Sequence, residues 1–368
     1  MGADFLEKRH GHNRFDDEIL CPHHPENIMP IYAWGSNGSG QLGIGHTDDV
    51  SIPTLHVDDS SVSEDEGALQ GIVAGGNHSL LLYGSGRVVV VVGKDASGLV
   101  TAGTGLKGVK LVSATWDASC ILTKSEEELI TFGRGEHGEL GRGVEIKEIS
   151  DGSSAIDLSA IIPAGVSIIQ VSSGVQHTVA VLSNGEVIGW GNGRKGQLGK
   201  SADIVWKPRR IISDILFKVK KAVCGHGFTF LVGNPESGQC MVIGQDKFGI
   251  QANAPVSVPG WKDIQASWGC IFVLFKDNRL VSWGRNDHGQ LAPPNLPEID
   301  QIAIGSEHGL ALSKDGKVYA WGWGEHGNCG PDVDAFGDAR EAKEIILPTN
   351  LAKIKGIGAG CATSWFWT

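Results

Sequence analysis

Tyrosine and methionine are scarce, at three residues each, and no apolar run approaches the length of a membrane-spanning segment. The longest notable run is VVVVV at 88–92, far short of the ~18 residues a bilayer crossing needs. No stretch of any length repeats with helical period. Seven cysteines, at 21, 120, 224, 240, 270, 329 and 361, form no CxxC pair. That spacing argues against a zinc knuckle, and the odd, scattered count against a disulfide framework. No charged-then-apolar leader opens the chain. The expectation is a soluble intracellular protein, cytoplasmic and also nuclear. GxSxG, HExxH and GxxxxGK[ST] are all missing, which removes the usual hydrolase, metalloprotease and phosphate-loop signatures. The expectation is a protein that is not an enzyme and uses no cofactor.

Basic residues are missing from one long stretch. Between Arg14 and Arg87 there is no Lys or Arg, and eleven Asp and Glu stand there, equal to the whole net charge of −11. A chain so charged is repelled by phosphate backbones, which disfavours direct nucleic-acid binding. A basic partner surface is the electrostatic expectation.

Glycine and tryptophan are plentiful, at 53 and eleven residues. Glycine at this density opposes long helices by roughly 1 kcal/mol per residue, so many short strands with tight turns are expected. Both residues fall in an internal repeat. WGSNGSGQLG (34–43), FGRGEHGELG (132–141), WGNGRKGQLG (190–199), WGRNDHGQL (283–291) and WGWGEHGNCG (321–330) are strong copies, and 92–99 and 243–250 are weaker ones. A second motif precedes six of them, as in AGGNHSLLL (74–82), SGVQHTVAV (173–181) and IGSEHGLAL (304–312). Its seventh copy, AGCATSWFW (359–367), ends the chain, whereas the first tryptophan-glycine half has no such partner before it. Seven of each half, offset by one, describe a circle. The expected fold is an all-β, seven-bladed β-propeller closed by pairing of N- and C-terminal strands in one blade, since ring closure removes exposed strand edges.

Residues 31–368 form this propeller, and residues 1–30 precede it as an extension expected to be flexible. His10, His12, Cys21, His23 and His24 within it match no standard zinc spacing, so no metal site is expected. Segment 46–70 reads as a mobile acidic loop, and 142–166 and 331–347 as insertions, with DAREAKEII (338–346) as a short helix.

Seven internal copies make their differences informative. In the Gly-x-x-His half the first variable position holds Gly76, Trp116, Val175, His226, Trp268, Ser306 and Cys361. The second holds Asn77, Asp117, Gln176, Gly227, Gly269, Glu307 and Ala362. These positions precede the inner strand, on the reading that they line one rim of the central channel. There Trp116, Trp268, His226, Asp117 and Glu307 form a mixed aromatic and polar surface of the kind protein interfaces use. The competing structural role is that the two tryptophans plug the channel. His326 occupies the position of His137 and His288, a turn-packing role, while Trp323 and Cys329 depart from the other copies.

Tryptophan-glycine…Gly-Gln-Leu-Gly halves alternating with Gly-x-x-His-Thr/Ser halves resemble the regulator of chromosome condensation repeat family over residues 31 to 368. WGWGEHGNCGP, GSEHG (305–309) and GCATSW (360–365) narrow that resemblance to members that work by pairing. What it implies is a heterodimer with a small metal-binding, CSL-type zinc-ribbon electron-donor protein. Through that partner it implies support of Elongator-dependent wobble-uridine modification of tRNA and of diphthamide synthesis on translation elongation factor two. The implied partner-binding residues are Trp116, Asp117, His226, Trp268, Glu307, His308, Trp321, Trp323, Glu325 and His326. The family's founding activity, guanine nucleotide exchange on a small GTPase, is the alternative.

Overall fold

The computed structural model describes residues 30–57, 67–91, 108–124, 128–150, 155–211 and 215–368. The expected N-terminal extension, with its histidines and Cys21, and the weak repeat copy at 92–99 lie outside the described residues. So does the most acidic part of the 46–70 segment.

Each repeat folds into strands because its apolar residues alternate and its glycines supply the turns. Innermost strands come first and successive strands pair outward, all antiparallel. The first sheet holds Leu69–Ala74, Ser79–Tyr83 and Val88–Val91. The second holds Val109–Ala114, Ala118–Thr123 and Leu129–Arg134, with the short strands Glu148–Ile149 and Ala155–Ile156 both paired to its third strand. The third runs Ile168–Ser173, His177–Leu182, Val187–Asn192 and Ile204–Arg210. The fourth has Lys221–Cys224, Phe228–Val232 and Cys240–Gly244, and the fifth Trp261–Ala266, Cys270–Phe275 and Leu280–Gly284. The sixth has Ile299–Ile304, His308–Ser313, Val318–Trp323 and Asp338–Glu344. In the closing sheet Gly356–Ala359 and Thr363–Trp367 from the C-terminus pair with Ile31–Gly35 and Val50–Leu55 from the N-terminal side. The innermost strands meet around a shared axis.

Tryptophans bolt neighbouring sheets together. The indole N–H of Trp34 donates to the Asn328 carbonyl (3.0 Å), Trp190 to Glu139 (2.8 Å), Trp283 to Ile250 (3.0 Å) and Trp321 to Gln290 (3.0 Å). In every case the acceptor belongs to the Gly-Gln-Leu-Gly loop of the preceding sheet. Trp34, Trp190 and Trp321 are fully buried. Burial of ~150–250 Å² of ring stabilises by about 4–6 kcal/mol each as an upper estimate.

The expectation of seven like blades is corrected by this packing. The buried apolar side chains gather into six clusters, because those of the second, third and fourth sheets merge around Trp190. The hydrogen-bonded sheets are also unequal, three of them having only three strands among the described residues. Two readings of the insertions are corrected as well. Val50–Leu55, inside the supposed mobile loop, is an edge strand of the closing sheet. Asp338–Glu344, read as a helix, is a strand paired with Val318–Trp323. A waiting strand edge outweighs the weak helix preference of Ala, Arg, Glu and Lys.

A candidate protein-docking cleft on the loop face

With strands antiparallel, the turn after each innermost strand and the loop after each third strand emerge on one face. The variable positions of the Gly-x-x-His half sit on the first of these. They follow the innermost strand rather than precede it, which corrects the sequence reading, yet they still ring the axis. Their backbones chain together: Gly76 N–H donates to the Trp116 carbonyl and Trp116 N–H to Val175 (both 2.9 Å). His226 donates to Trp268 and Trp268 to Ser306 (both 2.9 Å), and Ser306 to Gly360 (3.1 Å).

The two halves of each repeat are locked in register by the glycine after the tryptophan. Gly284 and Gly322, for example, have φ of 122° and 104°, and a Cβ there would lie 2.1 and 2.5 Å from the carbonyl oxygens of Gly269 and Glu307. The next residue then donates its N–H to that same carbonyl, Arg285 to Gly269 (3.0 Å) and Trp323 to Glu307 (2.9 Å). This contact sets the residue after Trp-Gly beside the second variable position.

Two hollows result. The central channel, about 290 Å³, is lined by all the innermost strands and reached at one end by Trp116 and Trp268. Their ring centroids lie 5.5 Å apart, with His226 edge-on to Trp268 at 6.2 Å. Both rings stand where a channel plug would stand, and both remain half-buried at the face.

Beside it lies a cleft of about 280 Å³ over the fourth, fifth and sixth sheets. His226, Gln245, Lys247, Phe248, Trp268 and Arg285 line it together with Glu307 and Trp323. Trp323 stacks on His288 at 4.8 Å and 13°. Arg285 anchors the floor: Nη1 donates to Glu307 Oε1 (2.8 Å), while Nε and Nη2 grip both oxygens of Asp287 (2.6 and 2.8 Å). Gln290 Nε2 donates to the other Glu307 oxygen (3.0 Å). Burial raises the Glu307 carboxyl above its ordinary range, with Arg285 opposing. The hydrogen bonds from Arg285 hold Asp287 well below the usual carboxylate range. His226 is lowered by burial, then by Lys247 and Lys195, and so is neutral at physiological pH.

Of the expected partner-binding residues, His226, Trp268, Glu307 and Trp323 meet in the cleft, with Trp116 against Trp268. Asp117 is half-buried on the same ring of turns. Glu325 and His326 are exposed on the outer loop of the sixth sheet, where His326 Nδ1 pairs with Asp49 Oδ2 (2.8 Å) and ties that loop to the closing sheet. Trp321 and His308 are not at the surface. Trp321 is one of the buried bolts, and His308 Nε2 reaches Ser364 Oγ (3.0 Å) between the sixth and closing sheets. Cys329, singled out in the sequence, is buried, with its thiol pushed up by burial. Cys361 lines the channel, raised to about 11 for the same reason.

Lys247, Phe248, Gln245 and Arg285 were missed. A signal existed: comparing copies at the position after Trp-Gly gives Ser36, Arg134, Asn192, Gln245, Arg285 and Trp323. The histidine position of the weak copy at 243–250 holds Phe248. No group of three His, Cys, Asp or Glu side chains suited to a metal ion occurs among the described residues. No helix among them is long and apolar enough to cross a membrane.

Residues 31–366 match the sequence family described as the RCC1-like domain. The chain is similar to the RCC1 repeat-containing protein C10F6.04 of Schizosaccharomyces pombe, at 31% identity over 91% of this chain and 97% of that protein. It is similar to the mouse secretion-regulating guanine nucleotide exchange factor at 25% identity, covering 76% of this chain and 65% of that one. The crystal structure of Prp20p from Saccharomyces cerevisiae, described with its binding to Gsp1p and histones, shares the fold. Its TM-score is 0.75, at 22% identity over 93% of this chain and 92% of the other.

Proposed function

The chain belongs to the RCC1-like domain family, and on that footing we propose that it is a propeller that docks a protein partner on its loop face. The observation that carries this reading is the cleft itself. Aromatic walls from Phe248, Trp268 and Trp323 stand over a floor in which half-buried Arg285 and buried Glu307 are hydrogen-bonded to each other, with Gln290 on the second Glu307 oxygen. Half-exposed aromatics gathered at strand ends and turns around a hydrogen-bonded polar centre are the usual make-up of an interface hot spot.

Kinship supports one occupant most directly. A relative is a guanine nucleotide exchange factor by name, and exchange by this family acts through a propeller face set near the nucleotide. The fitting partner is then a small GTPase, whose nucleotide release the face accelerates.

Copy-specific residues support a second occupant. Trp323, Trp116–Asp117 and Trp268, with WGWGEHGNCGP, resemble the killer-toxin-insensitivity factor thirteen, also described as an alpha-tubulin suppressor. On this reading the partner is the small CSL-type zinc-ribbon protein. The pair then supplies electrons for wobble-uridine modification with Elongator and for diphthamide synthesis, in cytoplasm and nucleus.

One paired experiment separates the two. Tagged chain is purified from its native cells and its partners identified by mass spectrometry, and nucleotide release is timed over a panel of small GTPases. A stoichiometric cysteine-rich small protein with no acceleration selects the second reading. Acceleration on one GTPase selects the first. Recovery unchanged by both Trp268→Ala and Trp323→Ala, in protein with normal melting, sinks the docking cleft.

A further inference from the structure

Phe248 is the odd residue of the cleft. It stands at φ 62° and ψ 20°, inside the left-handed region, which bulky side chains occupy rarely. It remains 41% exposed, so packing against the protein's own core does not explain the conformation. The corresponding position in other copies holds Ser39, His137, Lys195, His288 and His326. A strained aromatic held at the wall of a cleft is the pattern expected of a recognition residue.

Charge around Phe248 is uneven. Glu307, the only carboxylate lining the cleft among the described residues, spends both oxygens on Arg285 and Gln290. Arg285 turns Nε and Nη2 to Asp287. Asp246, next in sequence, turns an oxygen to the amides of Gln251 and Ala252 (2.7 and 3.2 Å). Lys247 is left: exposed, in no ion pair among the described residues, with its ammonium 4.8 Å from the Phe248 ring centroid. The charge of Lys195, after that of Lys247, also lowers His226. Of the charged residues lining the cleft, two are cations, Lys247 and Arg285, and one is a carboxylate, Glu307, set among aromatic walls.

We infer that the cleft selects an acidic segment of a protein partner, seating an apolar or aromatic side chain against Phe248, Trp268 and Trp323 with a carboxylate at Lys247. This rests on the docking reading and narrows it. It also reverses the expectation of a basic partner drawn from net charge, because the excess of acid falls in sequence before Arg87, and among the described residues Glu307 alone brings a carboxylate to the cleft lining. A carboxylate seated beside the aromatic walls meets Lys247 in a medium less screening than bulk water, which strengthens that one contact.

The test uses the full chain and three sets of short fluorescein-labelled peptides, each with a central Phe or Leu flanked by Asp/Glu, by Lys/Arg or by Ser, read by fluorescence anisotropy. The acidic set is expected to bind at least tenfold more tightly than the serine set. Lys247→Glu is expected to abolish that preference and Lys247→Arg to keep it, and melting curves confirm that both variants are folded. Equal or tighter binding of the basic or serine set overturns the inference. So does binding by no set, or indifference to Lys247→Glu. The docking reading is judged apart from this, by whether Trp268→Ala loses the partner co-purified from cells, a readout that uses no charged probe.

Discussion

The indole rings of Trp116 and Trp268 meet at 5.5 Å across the channel mouth, although one follows the innermost strand of the second sheet and the other that of the fifth. Each backbone is fixed by a neighbouring turn, so the pair is preorganised before any partner arrives. Removing Trp268 opens the channel end and strips one wall from the cleft.

Trp268→Ala is therefore expected to weaken partner binding by about 30-fold, the equivalent of a hot-spot loss near 2 kcal/mol. The ring is only half-buried, so stability should change much less. Titration calorimetry with the co-purified partner and a melting curve measure both. Unchanged affinity would remove Trp268 from the interface.

Trp321 should behave in the opposite way. It was a candidate for partner binding, yet it is buried beside Phe272 at 6.3 Å and bolts the sixth sheet to the fifth. A Cβ on Gly309 would lie 2.3 Å from its ring, so the site is shaped around the indole. Trp321→Ala is expected to cost about 3–5 kcal/mol, seen as a lower urea midpoint. Partner affinity of the protein that remains folded should be near normal.

Trp321 and Trp268 show what the sequence could and could not reveal. The repeat announced the strands, their turns and the closing pair, because alternation and glycine spacing act locally. It did not separate a bolt from a docking residue, since that depends on which strand faces the preceding sheet. Trp268 lies on a turn and stays half-exposed, whereas Trp321 lies within a strand and is buried against the preceding sheet. Asp338–Glu344 was misread because a free strand edge overrode local preference. Lys247 and Phe248 were hidden in the weakest copy, where the missing tryptophan drew attention away from the turn.

His177 and His308 tie stability to pH. Burial pushes His177 down to about 3, with His226 adding to it, and His308 down to about 4. The folded protein keeps both neutral, while the unfolded chain takes up protons near 6.5. Their contribution is thus complete above about pH 6.5 and is lost as pH falls toward 4 for His308 and 3 for His177. His177→Gln, which retains a partner for Thr229 Oγ1, should flatten the fall in urea midpoint across that window relative to the parent protein. An equally steep fall in the variant would assign the dependence to other groups.

Phe248 sets stability against recognition. Its left-handed backbone costs about 1–2 kcal/mol for a bulky side chain, whereas asparagine takes the same conformation with less strain. The short turn Lys247–Gly249 holds no buried residue, so little packing is lost on substitution. Phe248→Asn is expected to raise stability by about 1 kcal/mol while weakening partner binding, since the ring forms a cleft wall. Paired measurement of the urea midpoint and partner affinity gives both signs at once. If the variant were destabilised with affinity unchanged, Phe248 would be a packing residue, and its strain would have no link to recognition.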